Sequence, residues 1–180
     1  MRKSKSQKIA LCGVLGALSI VILLLGNVLQ VGTYCGPMLA CFLLIPVQEE
    51  YGPRYALLLY GGVALLSLML VPDKELALFY TLVLGYYPVL KRRLERIRSP
   101  LLRWVAKLAV FNVAVAALYA LLLFVLTPPG LLEEFAAAGA PLLIAMLALG
   151  NLSFWLCDRA LGAIALVYRL RLRPKLKRFF

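Results

Sequence analysis

The acidic pair Glu49 and Glu50, followed by Arg54, is the group in this sequence whose spacing most suggests chemistry. Two neighbouring carboxylates can serve general acid–base catalysis when a proton-accepting partner lies beside them. Gly52 and Pro53 follow the pair, and a proline interrupts the helix that would hold both carboxylates on one face. We therefore expect the stretch EEYGPR to form a solvated turn on the cytoplasmic side.

The composition removes most other enzymatic chemistry. The 180 residues include no histidine, which excludes Ser-His-Asp and Cys-His centres and histidine-based zinc sites. The E-E-x-x-x-R spacing resembles that of intramembrane proteases of the prenyl-protein-processing type, but that family also needs histidines. No G-x-x-x-x-G-K-[ST] loop is present to bind the phosphates of ATP. We expect no catalytic residue and no enzymatic activity.

Metal and cofactor sites are not indicated either. Cys12, Cys35, Cys41 and Cys157 are scattered without paired spacing, and most lie in apolar runs. A thiol in such a run behaves as a small hydrophobic group. The sequence predicts no metal site, no disulfide and no cofactor.

Apolar runs dominate the chain and set its fold class. Hydrophobic residues make up 63% and charged residues 16%, whereas a soluble domain is about half apolar and about a quarter charged. Runs near 20 apolar residues can cross a bilayer as helices. We predict an all-α integral membrane protein, a single domain of residues 1–180 folded as a compact bundle of six transmembrane helices. The predicted spans cover residues 9–31, 34–47, 55–71, 76–90, 104–127 and 141–170.

The distribution of charge predicts the orientation. The net charge is +12, and every lysine and arginine except Lys74 falls at the ends of spans that share one side. Lysine and arginine near span ends are retained in the cytoplasm, so both termini are predicted to be cytoplasmic. Because these cations flank apolar runs, we expect no nucleic-acid partner. The basic stretch YRLRLRPKLKR is expected to lie on anionic lipid.

One stretch, VPDKELALFYTLVLGYYPVLKRR, is predicted to cross from outside to inside. Asp73 or Lys74 would begin its helix, because small polar and acidic residues stabilise a helix start. Tyr86 and Tyr87 fall where an interfacial aromatic belt would lie, beside the cationic KRR. Pro88 is expected to kink or end the helix.

A few polar residues lie inside predicted spans. Asn112 and Tyr119 are seven residues apart, as are Asn151 and Asp158, with Trp155 between the latter two, so each pair shares a helix face. Two interpretations stay open: these residues line a pocket between helices, or they form interhelical hydrogen bonds. In the second case Asp158 would lie near the inner interface.

The first predicted helix carries small residues on one face. In KIALCGVLGALSI, Ala10, Gly13 and Ala17 lie close to one line, with Gly16 adjacent. Small residues let two helices approach closely. They could pack within the monomer or form a docking face for another subunit.

This architecture resembles the substrate-binding S component of energy-coupling factor (ECF) transporters. The resemblance covers nearly the whole chain and rests on the basic start, the small-residue first helix and the third span YGPRYALLLYGGVALLSLML after a Gly-Pro turn. It implies a subunit of a bacterial cytoplasmic membrane that captures a vitamin-like small molecule. It also implies docking onto a membrane T component, with two cytoplasmic ATPase subunits supplying energy.

Residue roles follow from that resemblance by position. Ala10, Gly13 and Ala17 would form the docking face, and the outer loops with the outer halves of spans four to six would hold the substrate. The implied substrate-binding residues are Gln30, Tyr34, Asp73, Lys74, Glu75, Tyr80, Tyr119, Glu133, Glu134, Asn151 and Trp155.

A protein of another class fits the same sequence. A multi-span scaffold of the bacterial cell-envelope or cell-shape machinery would also be apolar, basic inside and free of catalytic residues. The two differ at the polar face of spans five and six. A transporter needs an outward-opening cavity there, whereas a scaffold needs a filled packing seam.

Overall fold

Helices form every regular element in the part of the chain that the computed structural model describes, residues 5–29, 34–123 and 131–173. A π-helical turn of residues Tyr80–Leu84 joins α5 to the turn before α6, and a second, Tyr168–Leu172, extends α8. The α-helices are α1 (Lys5–Val28), α2 (Cys35–Phe42), α3 (Leu44–Tyr51), α4 (Pro53–Leu70), α5 (Lys74–Phe79), α6 (Tyr87–Leu94), α7 (Pro100–Leu121) and α8 (Leu131–Val167).

Four stretches within the described ranges are long and apolar enough to cross a membrane. They are Ser6–Val28, Pro53–Leu70, Pro100–Leu121 and Ile144–Arg171. They correspond to the first, third, fifth and sixth predicted spans. The chain is therefore an all-α protein with the helices of a membrane protein, as the apolar runs predicted.

The second and fourth predicted spans are interrupted. Residues 34–47 fold mainly as α2 and α3, which meet at Leu43, and residues 76–90 contain α5, the π turn and the start of α6. Pro46 and Pro88 explain both breaks, because a proline ring clashes with the carbonyl four residues earlier. Each break falls just before its proline, so the prediction for Pro88 is confirmed.

Local signals set the other helix starts. The Asp73 carboxylate accepts hydrogen bonds from the backbone of Glu75 and Leu76 at the start of α5, as expected of an N-cap. Gly52 has a φ of 91° before Pro53 begins α4. α8 begins ten residues earlier than predicted, and Gly139 within it has a φ of 64°. Residues 124–127, predicted to end the fifth span, lie outside the described residues.

The helices bring the charged segments together at two ends. At one, Tyr34 contacts Glu75, and we call this the Tyr34 end. At the other, Glu95 lies 3.8 Å from Lys107 and Arg169 bonds Glu49. This second end also contains Lys8, Lys91 and Arg92, and we call it the basic end.

The outer surface of the bundle is apolar. Leu58, Met69 and Val113 are 73%, 80% and 69% exposed. Exposed apolar surface on this scale marks contact with a membrane or a partner. The buried core includes one apolar cluster between α7, α8 and the π turn, another between α1, α4 and α5, and a smaller one between α3, α4 and α6.

Candidate functional site

Three of the predicted substrate-binding residues meet at the Tyr34 end. The Tyr34 hydroxyl donates a 3.1 Å hydrogen bond to Glu75 Oε1, and Tyr119 of α7 interacts with both side chains. The ring of Phe79 packs edge-on against Tyr34 at 5.1 Å between centroids. The residue before α2 and the helices α5 and α7 thus each contribute one polar side chain to an accessible group, which we call the outer cluster.

Asp73 and Lys74 lie beside the outer cluster, and their contacts hold the fold. The Asp73 carboxylate caps α5 as described. The Lys74 ammonium donates to the backbone carbonyls of Leu68 and Val71 at 2.9 and 3.1 Å, where α4 ends with unpaired carbonyls. Both residues therefore fix the turn between α4 and α5.

Tyr80 is enclosed by apolar side chains. It is fully buried in the cluster between α1, α4 and α5, and its hydroxyl has no hydrogen-bond partner among the described residues. It does not reach the outer cluster's accessible surface. As placed, Tyr80 is a core residue.

Asn151 and Trp155 of α8 have different surroundings. Asn151 exchanges hydrogen bonds of 2.9 and 3.2 Å with Asn112 of α7, so the interhelical interpretation of this pair is confirmed. Trp155 lies on the outside, 39% exposed, with the Arg159 guanidinium 5.1 Å from its ring centroid.

Three predicted residues have no described side chain. Gln30 lies outside the described residues, and Glu133 and Glu134 fall in the first turn of α8, where only the backbone is described. Their role in substrate binding stays a prediction.

The predicted docking face is open. Ala10, Gly13 and Ala17 are exposed along α1, and a Cβ built on Gly13 would meet no atom within 4 Å. Gly16 lies on the other side, 3.1 Å from Leu59 of α4 at its Cβ position. Packing within the monomer is therefore the role of Gly16, and the other three residues form an unpartnered stripe.

A buried ionic cluster forms where α6, α7 and α8 meet. The Asp158 carboxylate accepts hydrogen bonds from Tyr87, Lys91 and Lys107 at 2.7, 2.7 and 2.8–2.9 Å. Asp158 and Lys107 are each 3% exposed. Glu95 adds a second carboxylate at 3.4 Å from Lys91 and 3.8 Å from Lys107, which balances the two ammonium charges.

Sequence reasoning placed Asp158 on a polar face but did not pair it with lysines. Asp158 is buried in the protein between Lys91 and Lys107 of the basic end, and its position near the inner interface stays a prediction. Lys107 lies within the predicted fifth span, near its cytoplasmic end. Charges inside spans usually pair with one another, and this signal could have joined Lys107 to Asp158.

Glu49 and Glu50 are not in a solvated turn. They lie in α3, and their side chains are 8% and 6% exposed. Arg169 forms a bidentate pair with Glu49 at 2.7 and 2.8 Å, and Arg173 lies 3.4 Å from Glu50. The prediction of a solvated turn is wrong, because the π turn that extends α8 packs against α3 and covers both carboxylates. Arg54 of the E-E-x-x-x-R pattern is exposed and has no ion pair among the described residues.

The described residues contain no group of three or more histidine, cysteine or acidic side chains placed to hold a metal ion. Comparisons with protein-family models, curated proteins and solved structures found no match to this chain. Inferences about function therefore rest on the positions and contacts of the chain's own residues.

Proposed function

We propose that the protein is the substrate-capture subunit of an ECF-type uptake transporter for a vitamin-like small molecule in a bacterial cytoplasmic membrane. The observation that carries the proposal is the convergence of Tyr34, Glu75 and Tyr119 in the outer cluster. Two hydroxyls and a carboxylate, accessible from one end, can orient a small polar ligand.

In this proposal the chain crosses the membrane six times, with both termini and the basic end in the cytoplasm. The two interrupted segments, residues 34–47 and 76–90, make the second and fourth crossings, and neighbouring helices cover their breaks. The positive-inside rule supports this orientation, because Lys91, Arg92 and Arg169 all lie at one end.

The open stripe of Ala10, Gly13 and Ala17 supports the partner that this function requires. A membrane T component would pack on the stripe, and two cytoplasmic ATPase subunits would supply energy. The absence of an ATP-binding loop in the sequence fits such a division of labour.

A multi-span scaffold of the cell envelope is the second candidate. The seam between α7 and α8 favours it, because Asn112 and Asn151 bond each other there and the rings of Phe111 and Phe154 stack at 4.4 Å. In the described residues, this seam is filled as a scaffold requires, and a substrate would have to bind above it at the outer cluster.

Purification of the tagged protein from its own membranes in mild detergent separates the two candidates. Mass spectrometry would identify every co-purifying protein and small molecule. We expect a membrane partner, two ATPases and one metabolite, and we expect the Tyr34→Phe with Glu75→Gln variant to lose the metabolite but keep the proteins. Recovery of cell-wall synthesis proteins without a metabolite would replace the transporter proposal with the scaffold.

A further inference from the structure

A lateral groove runs along the outside of the bundle between α7 and the segment that joins α5 to α6. Its volume is about 550 Å³, within the range of small-ligand sites. One side consists of aromatic and apolar side chains, and the other of small and β-branched residues of α7. The lining residues used below are Tyr60, Thr81, Tyr86, Val110, Val113 and Ala117.

The aromatic wall of the groove is held in place by contacts within the protein. The Tyr60 hydroxyl donates a 2.6 Å hydrogen bond to the Thr81 carbonyl within the π turn. The Tyr60 ring lies so close to Gly85 that a Cβ there would come within 2.6 Å of a ring carbon. Glycine at position 85 therefore leaves the space in which the Tyr60 ring packs against the turn.

Polar groups lie at one end of the groove. Because Glu75 meets Tyr119 and Glu95 meets Lys107, the chain from α5 to α6 runs antiparallel to α7. Tyr86 is therefore nearer the basic end than Thr81. Its hydroxyl has no hydrogen-bond partner among the described residues, which leaves it free to bind a ligand.

Arg103 lies on the same face of α7 as the groove. It precedes Val110 by seven residues, two helical turns, which is about 10 Å towards the basic end. Lys91, Arg92 and Lys107 each have a carboxylate partner, but Arg103 has none among the described residues. The groove thus has an apolar length, a free tyrosine hydroxyl, and then an unpaired cation.

We propose that this groove binds one acyl chain of an anionic phospholipid. The chain lies against Val113 and Ala117, the Tyr86 hydroxyl faces the ester region, and Arg103 pairs with the phosphate. This order matches the layers of a bilayer leaflet, in which tyrosines lie at the headgroup level and cations meet phosphates. A partner helix would fill the apolar length but would leave Arg103 unpaired.

Native mass spectrometry can count the lipids that remain bound to the purified protein. The protein would be equilibrated in mild detergent with equal amounts of phosphatidylglycerol and phosphatidylethanolamine. We expect the wild type to retain one phosphatidylglycerol that Val113→Phe loses. Leu65→Phe on α4 is the matched control, because Leu65 is 68% and Val113 69% exposed, and we expect it to retain the lipid.

Changes at Arg103 test the headgroup assignment. Arg103→Gln should lower the preference for phosphatidylglycerol about fivefold, Arg103→Lys should restore most of it, and Arg98→Gln, outside the helix, should change nothing. Equal lipid retention by wild type and Val113→Phe would overturn the proposal. So would a change in oligomeric state caused by Val113→Phe, which would assign the groove to a second copy. If Val113→Phe unfolds, Ala117→Leu replaces it, because the added side chain fills the same groove and should likewise abolish lipid retention.

Discussion

At the scale of single residues, Asp158 forms the most extensive set of buried charge contacts that the structure describes. Its carboxylate accepts hydrogen bonds from three side chains on two other helices, while Glu95 supplies a second negative charge. Removing one member of a buried ion pair is costly, because the partner charge stays buried without compensation. The two lysines make Asp158 the residue on which the junction of α6, α7 and α8 depends.

We expect Asp158→Asn to lower the free energy of unfolding by about 3–5 kcal/mol, because it leaves Lys91 and Lys107 with too little negative charge. Thermal unfolding in detergent measures the loss. Asp73→Asn is the control, since asparagine caps a helix as well as aspartate does. Adding Lys107→Met to Asp158→Asn should recover part of the loss. Equal stability of Asp158→Asn and Asp73→Asn would contradict this account.

The polar residues could be found from the sequence, but most of their partners could not. Asn112 and Asn151 stand out because amides are costly inside spans, and one of the two open interpretations proved correct. The ionic cluster was not predicted, because the pairing of Lys107 with Asp158 depends on how α7 and α8 rotate about their axes. That rotation is set by packing of rings such as Phe111 on Phe154.

At the scale of elements, ion pairs join α3 to the π turn that extends α8. Arg169 binds Glu49 through two hydrogen bonds, Arg92 approaches the same carboxylate at 3.8 Å, and Arg173 approaches Glu50. Planar guanidinium groups suit such bidentate pairing. The basic residues after Tyr168 therefore serve the fold as well as any lipid surface.

This attachment should weaken in acid. The hydrogen bonds from Arg169 lower the pKa of the Glu49 carboxyl, against the opposing effect of its burial. A lowered carboxyl pKa contributes stability that is present above the unfolded-state value of about 4.3 and is lost as the pH falls through the folded-state value. We expect the unfolding temperatures of wild type and Glu49→Gln to differ at pH 7 and to converge as the pH falls through the lowered folded-state pKa of Glu49.

Arg54→Gln supplies the comparison for that experiment. It also removes one charge near the basic end, but Arg54 has no ion pair among the described residues. Its difference from wild type should not follow the Glu49 titration. A wild-type and Glu49→Gln difference that stays constant from pH 7 to pH 3 would show that the carboxylate's charge does not hold α8.

The exposed stripe on α1 predicts that substitutions there affect partner binding and leave the stability of the monomer unchanged. Gly13→Leu with Ala17→Leu should abolish co-purification of a membrane partner, because the added side chains keep two helices apart. The monomer should keep its unfolding temperature, since a Cβ on Gly13 meets nothing within 4 Å. Gly62→Leu on α4 is the control, as its position is equally open. Unfolding of the double variant would assign the stripe to internal packing.

At the scale of the whole molecule, the sequence predicted helix content and the four long helices well. Apolar length determines both, and the bilayer requires it. The sequence did not predict that the second and fourth spans are each broken into shorter helices. Pro46 and Pro88 mark where each break falls, but the π turn between α5 and α6 depends on Tyr60 packing against Gly85, a contact between residues far apart in the chain.

The six-crossing orientation has a direct test in intact cells. Cys35 is exposed near the Tyr34 end, whereas Cys157 is buried, so Cys157 would stay unlabelled on either side of the membrane. An impermeant thiol reagent added outside should label wild type and not Cys35→Ser. Placing a cysteine in that variant by Arg98→Cys should give labelling only after permeabilisation. Labelling of that cysteine in sealed cells would reverse the orientation.

The two ends of the bundle differ in how tightly their helices are joined. At the basic end, buried ion pairs to Asp158 join α6 and α7 to α8, and a more exposed pair joins α3 to the π turn that extends α8. At the Tyr34 end, an exposed hydrogen bond joins Tyr34, the residue before α2, to Glu75 of α5, and Tyr119 of α7 interacts with both. Local opening needs least free energy where contacts are few and exposed. The helices can therefore separate at the Tyr34 end while they stay packed at the basic end. Backbone amides near Tyr34 should accordingly exchange with solvent deuterium long before those near Asp158.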